Sequence, residues 1–199
     1  RMTDADYEPY REHFDPDRYD PRAWARTAKA AGAGYVVLTA KHHDGFCLWD
    51  SKLTDYTVMN TPYGRDAVAE FVEACRAEGL RVGIYYSLID WHHDAFPVDG
   101  THPQRDDEEF KAATADRDVR DYQPYLHGQV RELLTEYGRI DYLFFDFSYT
   151  HRADYWGGKG ADDWDAEGLM ALIRELQPHV IVNDRMGIPG DIVTPEQYQ

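Results

Sequence analysis

The segment from Ala33 to Phe46 reads AGYVVLTAKHHDGF, and in it a cluster of polar residues follows directly after an apolar run. The run at residues 35–40 is continuous rather than alternating, which is typical of a parallel strand covered on both faces. A lysine, two histidines and an aspartate come next, so they would lie at the carboxyl end of that strand. The segment therefore predicts a buried strand that delivers polar side chains to one edge of a sheet.

Three further apolar runs have the same character and are separated by helical patterns. The runs are residues 81–87, 140–147 and 179–184. Asp20 followed by Pro21 predicts the start of a helix that ends near Gly32, and helices closed by Gly79, Gly138 and Pro178 follow it. Alternating helices and buried strands indicate an α/β fold with a parallel sheet, and an open doubly wound sheet is the structural alternative to a barrel.

The predicted connections are asymmetric, with short links from helix to strand and long links from strand to helix. The long ones cover residues 41–64, 88–118 and 148–162, and we expect the opening segment up to Asp20 to be a loop as well. Long loops in a compact domain are usually functional, and in α/β enzymes the active site lies at the carboxyl ends of the strands. The asymmetry therefore predicts a site at that edge of the sheet.

A barrel of eight strands typically needs about 250 residues, whereas this chain has 199 residues and four clear strands. We therefore expect residues 1–199 to be one catalytic (β/α) barrel domain, truncated at both ends. The sheet would then carry exposed strand edges or apolar surface.

Composition and charge exclude several classes of function. The formal net charge of −16 argues against a nucleic-acid partner and against docking on an anionic membrane surface. Two cysteines cannot build a disulfide framework and lack zinc-ribbon spacing. No apolar run approaches about 18 residues, and the amino terminus lacks a signal-peptide core. Aromatic residues make up 14% of the chain, which suits stacking on sugar rings as well as ordinary packing.

Polar residues follow every predicted strand, and Asp146 is the most informative of them. It comes directly after Leu143-Phe144-Phe145, so its carboxylate would be fixed at the mouth of a buried strand. Glycosidases use two such carboxyl groups, one on each side of the bond that is cut. The residue types do not rank the candidates for the second carboxyl, which are Asp44, Asp90, Asp184 and Glu196.

Two His-His-Asp triplets, at residues 42–44 and 92–94, raise the alternative of a catalytic metal site. Adjacent residues at a strand end point in opposite directions, and the chain has no HxH or HExxH spacing. We therefore expect no metal, and we expect His92 and His93 to lie in a solvated loop.

Several motifs, taken in their order along the chain, resemble those of the family 29 glycoside hydrolases, the α-L-fucosidases. They are Lys41-His42-His43-Asp44-Gly45-Phe46 with Trp49, Arg65-Asp66, Tyr85-Tyr86-Ser87 with Asp90-Trp91, Asp146, Asn183-Asp184-Arg185 and Thr194-Pro195-Glu196. The resemblance implies a (β/α)8 barrel and a retaining mechanism without metal or cofactor. It also implies a secreted, periplasmic or lysosomal location, although the chain itself leaves the compartment unknown.

The same resemblance implies a role for individual residues and a fucosylated glycan as the substrate. Asp146 would be the nucleophile and Glu196 the general acid and base. The substrate-binding residues would be His42, His43, Tyr85, Arg185 and Trp49.

The chain departs from the family pattern in two respects. Relatives usually have tryptophan two residues before the nucleophile, where this chain has Phe144, and the family's first strand with its His-Trp-Gly element is missing, as are the last barrel strands. The missing segments leave an inactive glycan-binding homologue as one alternative to an active fucosidase, and the two His-His-Asp triplets leave a metal-dependent barrel hydrolase as the other.

Overall fold

The computed structural model describes residues 3–149 and 157–195. The strands are β1 (Tyr35–Lys41), β2 (Arg81–Ser87), β3 (Tyr142–Asp146) and β4 (Ile181–Val182). The helices are α1 (Asp4–Tyr7), α2 (Pro21–Ala30), α3 (Ala67–Ala77), α4 (Glu108–Ala113), α5 (Val119–Thr135), α6 (Ala161–Trp164) and α7 (Ala166–Leu176), with 3₁₀ turns at Glu8–His13 and Val58–Asn60. Within these described ranges, no helix is long and apolar enough to cross a membrane.

The four strands form one parallel sheet in the order β1-β2-β3-β4, which confirms the predicted α/β architecture. The register places Tyr85 beside Phe144 and Ser87 beside Asp146. The last strand is shorter than predicted, because the side chain of Asn183 forms the next hydrogen bonds to the backbone of β3. Its amide accepts a hydrogen bond from Phe145 N at 3.0 Å and donates one to Phe145 O at 2.9 Å.

Aspartate side chains set where the main helices begin. Asp20, Asp66 and Asp118 each accept a hydrogen bond from a backbone amide in the first turn of α2, α3 and α5. The loop predicted for the opening segment is wrong in part, since α1 and a 3₁₀ turn occupy residues 4–13. Thr3 and Asp6 explain the difference: Thr3 N donates to Asp6 Oδ2 at 3.0 Å and Asp6 N donates to Thr3 Oγ1 at 3.2 Å, a reciprocal cap that starts a short helix without an apolar stripe.

The two faces of the sheet have different surroundings. Val82, Ile84 and Phe145 point into the core shared with the helices and are no more than 1% exposed. On the opposite face Tyr35 and Val37 of β1 are 56% and 36% exposed. In the described part of the chain neither β1 nor β4 has a further strand at its outer edge. The expected open sheet with exposed apolar surface is therefore present.

Candidate active site

The chain turns back on itself just after β1, and this turn carries both histidines. Cys47 pairs with Lys41 in antiparallel sense, and Gly45 N donates to His42 O at 3.1 Å. Gly45 is required here twice over, since its φ is +77° and a Cβ would lie 2.3 Å from Asp90 Oδ1. The turn places the imidazole rings of His42 and His43 4.0 Å apart between their centroids, with His42 exposed and His43 half-buried.

A buried ion pair supports the turn from below. Lys41 Nζ lies 2.8 Å from Asp90 Oδ2, and the side chains are 0% and 1% exposed. Asp90 Oδ1 accepts from the amides of His92 and His93, while Lys41 also donates to Tyr122 Oη at 3.0 Å. Burial, the largest single influence, would lower the pKa of Lys41, but the charge and hydrogen bond of Asp90 together with Tyr122 and Cys47 outweigh it, and the net shift is upward. Both charges are therefore committed to each other.

Asp146 ends β3 on the open face of the sheet. Its Oδ2 accepts a hydrogen bond from the hydroxyl of Tyr85 at 2.9 Å, and its Oδ1 lies 3.7 Å from Arg185 Nη1. Among the described residues none donates a hydrogen bond to Oδ1, although this atom is buried. Phe147 follows with a φ of +87°, an uncommon value for a residue other than glycine, and it turns the chain sharply away from the strand.

Parallel rings form a wall beside this carboxylate. The ring of His42 lies 5.6 Å from that of Tyr85 at an interplanar angle of 7°, and the ring of Tyr85 lies 5.4 Å from that of Phe144 at 19°. All three side chains are at least partly accessible. A flat apolar surface next to fixed polar groups is suited to one face of a sugar ring.

His43 occupies an apolar niche on the other side of the turn. Its ring lies 5.0 Å from that of Phe147 and 5.3 Å from that of Trp91, and its Nδ1 is 2.6 Å from Ser87 Oγ. Burial, together with the proximity of His42 and Lys41, lowers the pKa of His43 to about 3. This imidazole is therefore neutral at physiological pH.

Comparisons with known proteins identify the family of this chain. The sequence model for alpha-L-fucosidase matches residues 2–199. The chain belongs to the alpha-L-fucosidase family. It is 31% identical to alpha-L-fucosidase 1 of Arabidopsis thaliana over 176 residues, which cover 85% of this chain and 29% of that protein. The curated relatives it matches are thus about three times as long as the chain.

Solved structures of fucosidases also share the fold. Isoenzyme 1 from Paenibacillus thiaminolyticus is 51% identical with a TM-score of 0.88, covering 98% of this chain and 47% of that one. AlfC is a fucosidase of Lactobacillus casei. A variant of AlfC in complex with Fucα(1,6)GlcNAc is 28% identical with a TM-score of 0.84, covering 98% of this chain and 61% of that one. A further AlfC structure contains 4-nitrophenyl-α-L-fucopyranoside. These neighbours are fucosidase catalytic domains, and the four-stranded sheet is accordingly part of a (β/α) barrel.

Of the residues that the family resemblance implied, five lie together at the carboxyl end of the sheet. They are Asp146, Tyr85, Arg185, His42 and His43. Trp49 needs a correction, because its side chain is 0% exposed and its Nε1 donates to Glu132 Oε2 at 3.0 Å. It is a core residue that ties the first long loop to α5, and it does not line the site.

The structure removes one of the candidates for a second carboxyl. Asp90 is excluded by its buried pairing with Lys41. Asp44 accepts from the hydroxyl of Tyr7 at 2.7 Å beside His42, and Asp184 accepts from Thr194 N at 3.0 Å. Glu196 lies outside the described residues.

The second His-His-Asp triplet is less solvated than predicted. The ring of His92 stacks on Tyr56 at 4.0 Å, and the ring of His93 lies 4.4 Å from that of Tyr125. Both rings are half-buried because Asp90 draws their backbone amides inward. Across residues 3–149 and 157–195, no group of three His, Cys, Asp or Glu side chains is arranged to hold a metal ion.

Sequence reasoning gave no role to two residues of the site. Ser87 contacts His43, and Phe147 packs against it. Ser87 had a usable signal, since it lies two residues after Tyr85 on the same face of β2 and beside Asp146 in the register. Nothing in the residue type of Phe147 indicated its left-handed backbone.

Direct contacts join the long loops around the site. Trp91 N donates to His43 O at 2.8 Å, which links the loop after β1 to the loop after β2. Asp99 and Lys159 form an ion pair whose side chains are 4% and 5% exposed, and the hydroxyl of Tyr149 donates to Asp99 Oδ2 at 2.5 Å. The loops after β2 and β3 therefore share one buried pair of charges.

Proposed function

We propose that the protein is a retaining α-L-fucosidase, which hydrolyses terminal α-L-fucosyl linkages of glycans by double displacement, and that residues 1–199 are part of its catalytic barrel. The observation that carries the proposal is the Asp146 carboxylate, held between the Tyr85 hydroxyl and the Arg185 guanidinium beside the wall of rings. Membership of the family supports the same activity.

Asp146 is the nucleophile in this proposal. A carboxylate that accepts from one hydroxyl and faces one guanidinium is held in a single orientation, and a nucleophile benefits from such positioning. Its attack on the anomeric carbon forms a fucosyl ester while the leaving oxygen takes a proton from the general acid. Water then hydrolyses the ester, and the configuration at the anomeric carbon is retained.

Glu196 is the proposed general acid and base, by its match to the family's later acidic motif. It donates a proton to the leaving oxygen in the first step and takes one from water in the second. Retaining enzymes have carboxyl groups roughly 5–5.5 Å apart. Asp44 and Asp184 are the described carboxylates that remain if Glu196 fails the test below.

The substrate class follows from the fucosides seen in AlfC and from the side chains present here. His42, His43 and Arg185 would bind the hydroxyl groups of the sugar. The rings of Tyr85 and Phe144 would pack on its apolar face and methyl group, which suits a 6-deoxy sugar. No step of this mechanism needs a metal or a cofactor.

The decisive experiment uses the intact enzyme with an aryl α-L-fucoside. Asp146→Gly should abolish turnover, and added azide should restore release of the aryl group. Azide attacks from the vacated side in one displacement, so the product is β-L-fucosyl azide with inverted configuration. Wild-type enzyme without fucosidase activity would overturn the proposal and favour the glycan-binding homologue. Activity lost to a chelator and restored by a divalent ion would favour the metal-dependent hydrolase.

A second variant tests the general acid. Glu196→Ala should release the aryl group of an activated aryl fucoside, which is the first step, at a rate close to that of the wild type, because that leaving group needs little protonation. It should lose natural fucosides, whose leaving oxygen does need a proton. Normal hydrolysis of natural substrates by this variant would assign the role to another carboxyl.

A further inference from the structure

Ser87 makes two short contacts through a single hydroxyl. Its Oγ lies 2.6 Å from His43 Nδ1 and 2.8 Å from Ile89 O. The serine is 0% exposed, so neither contact competes with bulk water. A hydroxyl has one proton to donate, and the two neighbours therefore cannot both receive it.

The identity of the neighbours decides where that proton goes. The carbonyl oxygen of Ile89 can only accept a hydrogen bond, whereas an imidazole nitrogen can donate or accept. If Ser87 donated to His43, two oxygens would face each other at 2.8 Å in a buried site without a proton between them. The arrangement that satisfies every atom has Ser87 donating to Ile89 O and accepting from Nδ1–H of His43.

The charge state of His43 completes the assignment. Because its pKa is lowered to about 3, the ring carries one proton at physiological pH, and Nδ1 holds it. Nε2 then bears only a lone pair. Within the described residues no hydrogen bond is made to Nε2, so this atom is available to a ligand.

We propose that Ser87 is a positioning residue that fixes His43 as the tautomer with an unprotonated Nε2, so that this nitrogen accepts a hydrogen bond from a hydroxyl group of the bound sugar. The sugar contact rests on the proposed fucosidase function, whereas the tautomer does not. The arrangement has a consequence for specificity. A hydroxyl is bound at this point, and a substituent that can only accept a hydrogen bond is rejected.

The tautomer can be observed directly in the intact enzyme with nitrogen-15 in its histidines. Proton–nitrogen correlation spectra separate a ring nitrogen that carries a proton from one that does not, and His43→Gln identifies the signals of His43. We expect a protonated Nδ1 and an unprotonated Nε2 at neutral and mildly acidic pH. A proton on Nε2 of the wild-type enzyme would overturn the proposal, whatever its activity.

Three serine variants separate positioning from general structural support. Ser87→Ala should give a mixture of His43 tautomers, and Ser87→Thr, which keeps the hydroxyl on a strand that tolerates β-branched residues, should restore the wild-type pattern. Ser51→Ala is the matched control, because Ser51 is also a buried serine and accepts from Leu53 N at 3.3 Å instead of contacting a site residue. An unchanged tautomer in Ser87→Ala would overturn the proposal.

Inhibition by free sugars tests the contact itself and avoids any effect of substituents on the chemical step. L-Fucose should inhibit Ser87→Ala roughly fivefold more weakly than the wild type, as expected for one hydrogen bond. The hydroxyl that donates to Nε2 is then replaced, in separate L-fucose analogues, by fluorine or by hydrogen. The fluorinated analogue should bind the wild type no better than the deoxy analogue, because fluorine cannot donate a hydrogen bond. Ser87→Ala should bind the fluorinated analogue more tightly than the deoxy analogue, since the tautomer with a proton on Nε2 becomes populated and can donate to fluorine. If the ratio of the inhibition constants of the fluorinated and deoxy analogues is the same in both enzymes, the proposed sugar contact is wrong.

The outcomes also distinguish this inference from the proposed function. An enzyme that binds no L-fucose but shows the expected tautomer would contradict the fucosidase proposal and leave the role of Ser87 in fixing the ring intact. Normal fucoside turnover with a protonated Nε2 would do the reverse.

Discussion

The two edges of the sheet carry similar polar residues and use them differently. At the amino edge, where helices lead into strands, Gln177 donates to Leu134 O and Gly138 O at 2.7 Å and accepts from Ile140 N at 2.9 Å. Arg76 likewise donates to the carbonyls of Tyr137 and Arg139. These side chains bond to the backbone of the short links and hold strands and helices in register.

At the carboxyl edge, in the described part of the chain, some buried polar atoms are left without a hydrogen bond. Asp146 Oδ1 is buried without a hydrogen bond from any described residue, and the same holds for Trp91 Nε1. Asp141 and Asp146 make the contrast sharpest, since they stand at opposite ends of one strand. Asp141 accepts from Val82 N at 3.1 Å and from Arg139 Nε at 2.8 Å, so it is fully occupied. Satisfied polar groups stabilise the fold, and incompletely satisfied ones bind ligands.

The largest expected effect comes from exchanging the two carboxylates for amides one at a time. Asp146→Asn should lower kcat/KM for fucosides by about 10³-fold or more, because it removes the proposed nucleophile, and should leave the urea midpoint nearly unchanged. Asp141→Asn should do the opposite, with near-normal kcat/KM and a lower urea midpoint. Equal kinetic losses in the two variants would break the distinction between the edges.

The Lys41–Asp90 pair differs from the unsatisfied polar atoms at the carboxyl edge, because its two charges are paired with each other. Lys41→Met leaves a buried carboxylate without its cation and should cost about 3–5 kcal/mol in the free energy of unfolding. The double variant with Asp90→Asn should recover part of that loss. Lys29→Met, at an exposed lysine of α2, is the control and should change stability by less than about 0.5 kcal/mol. A small effect of Lys41→Met in urea unfolding would show that the pair is dispensable.

A smaller effect is expected from Gln177 at the amino edge. Gln177→Ala leaves buried backbone groups unpaired and should cost about 2–3 kcal/mol, with KM unchanged. Gln123 also donates to two carbonyls, those of Asp162 and Asp163, but it lies nearer the surface. Gln123→Ala should therefore cost less than about 1 kcal/mol. Similar urea midpoints for both variants would contradict the role given to burial.

The smallest effect concerns pH at the amino edge. Burial raises the pKa of Asp141, but the hydrogen bonds from Arg139 and Val82 N, together with the charges of Arg139 and His179, outweigh it, so the net shift is downward from 3.8. A carboxyl whose pKa is lower in the folded state contributes stability above its unfolded pKa and loses that contribution as the pH falls through the folded value. The difference in urea midpoint between the wild type and Asp141→Asn should thus shrink on going from pH 7 to below 3.8. A constant difference would contradict the assignment.

Patterns that extend over whole segments allowed the architecture to be predicted. The run at residues 35–40 located a strand and Asp20 before Pro21 located the start of a helix, because burial and backbone hydrogen bonding constrain many residues at once. The strand-end rule also brought Asp146, Tyr85 and the two histidines to one edge. Other features depend on contacts between distant loops, and these could not be read from residue type. Trp49 was taken for a sugar contact although it packs against α5, and Asp90 was a candidate acid although Lys41 neutralises it.

The Asp99–Lys159 pair limits how the loops after β2 and β3 can be exchanged for other loops. Each of the two loops contributes one member of a buried pair of charges, so a loop transplanted alone would bury a charge without its partner. Such a graft would lower the free energy of unfolding by about 3–5 kcal/mol, whatever the new loop binds. The modular unit for redesign is therefore both loops together, or one loop with the charged residue of the other neutralised at the same time.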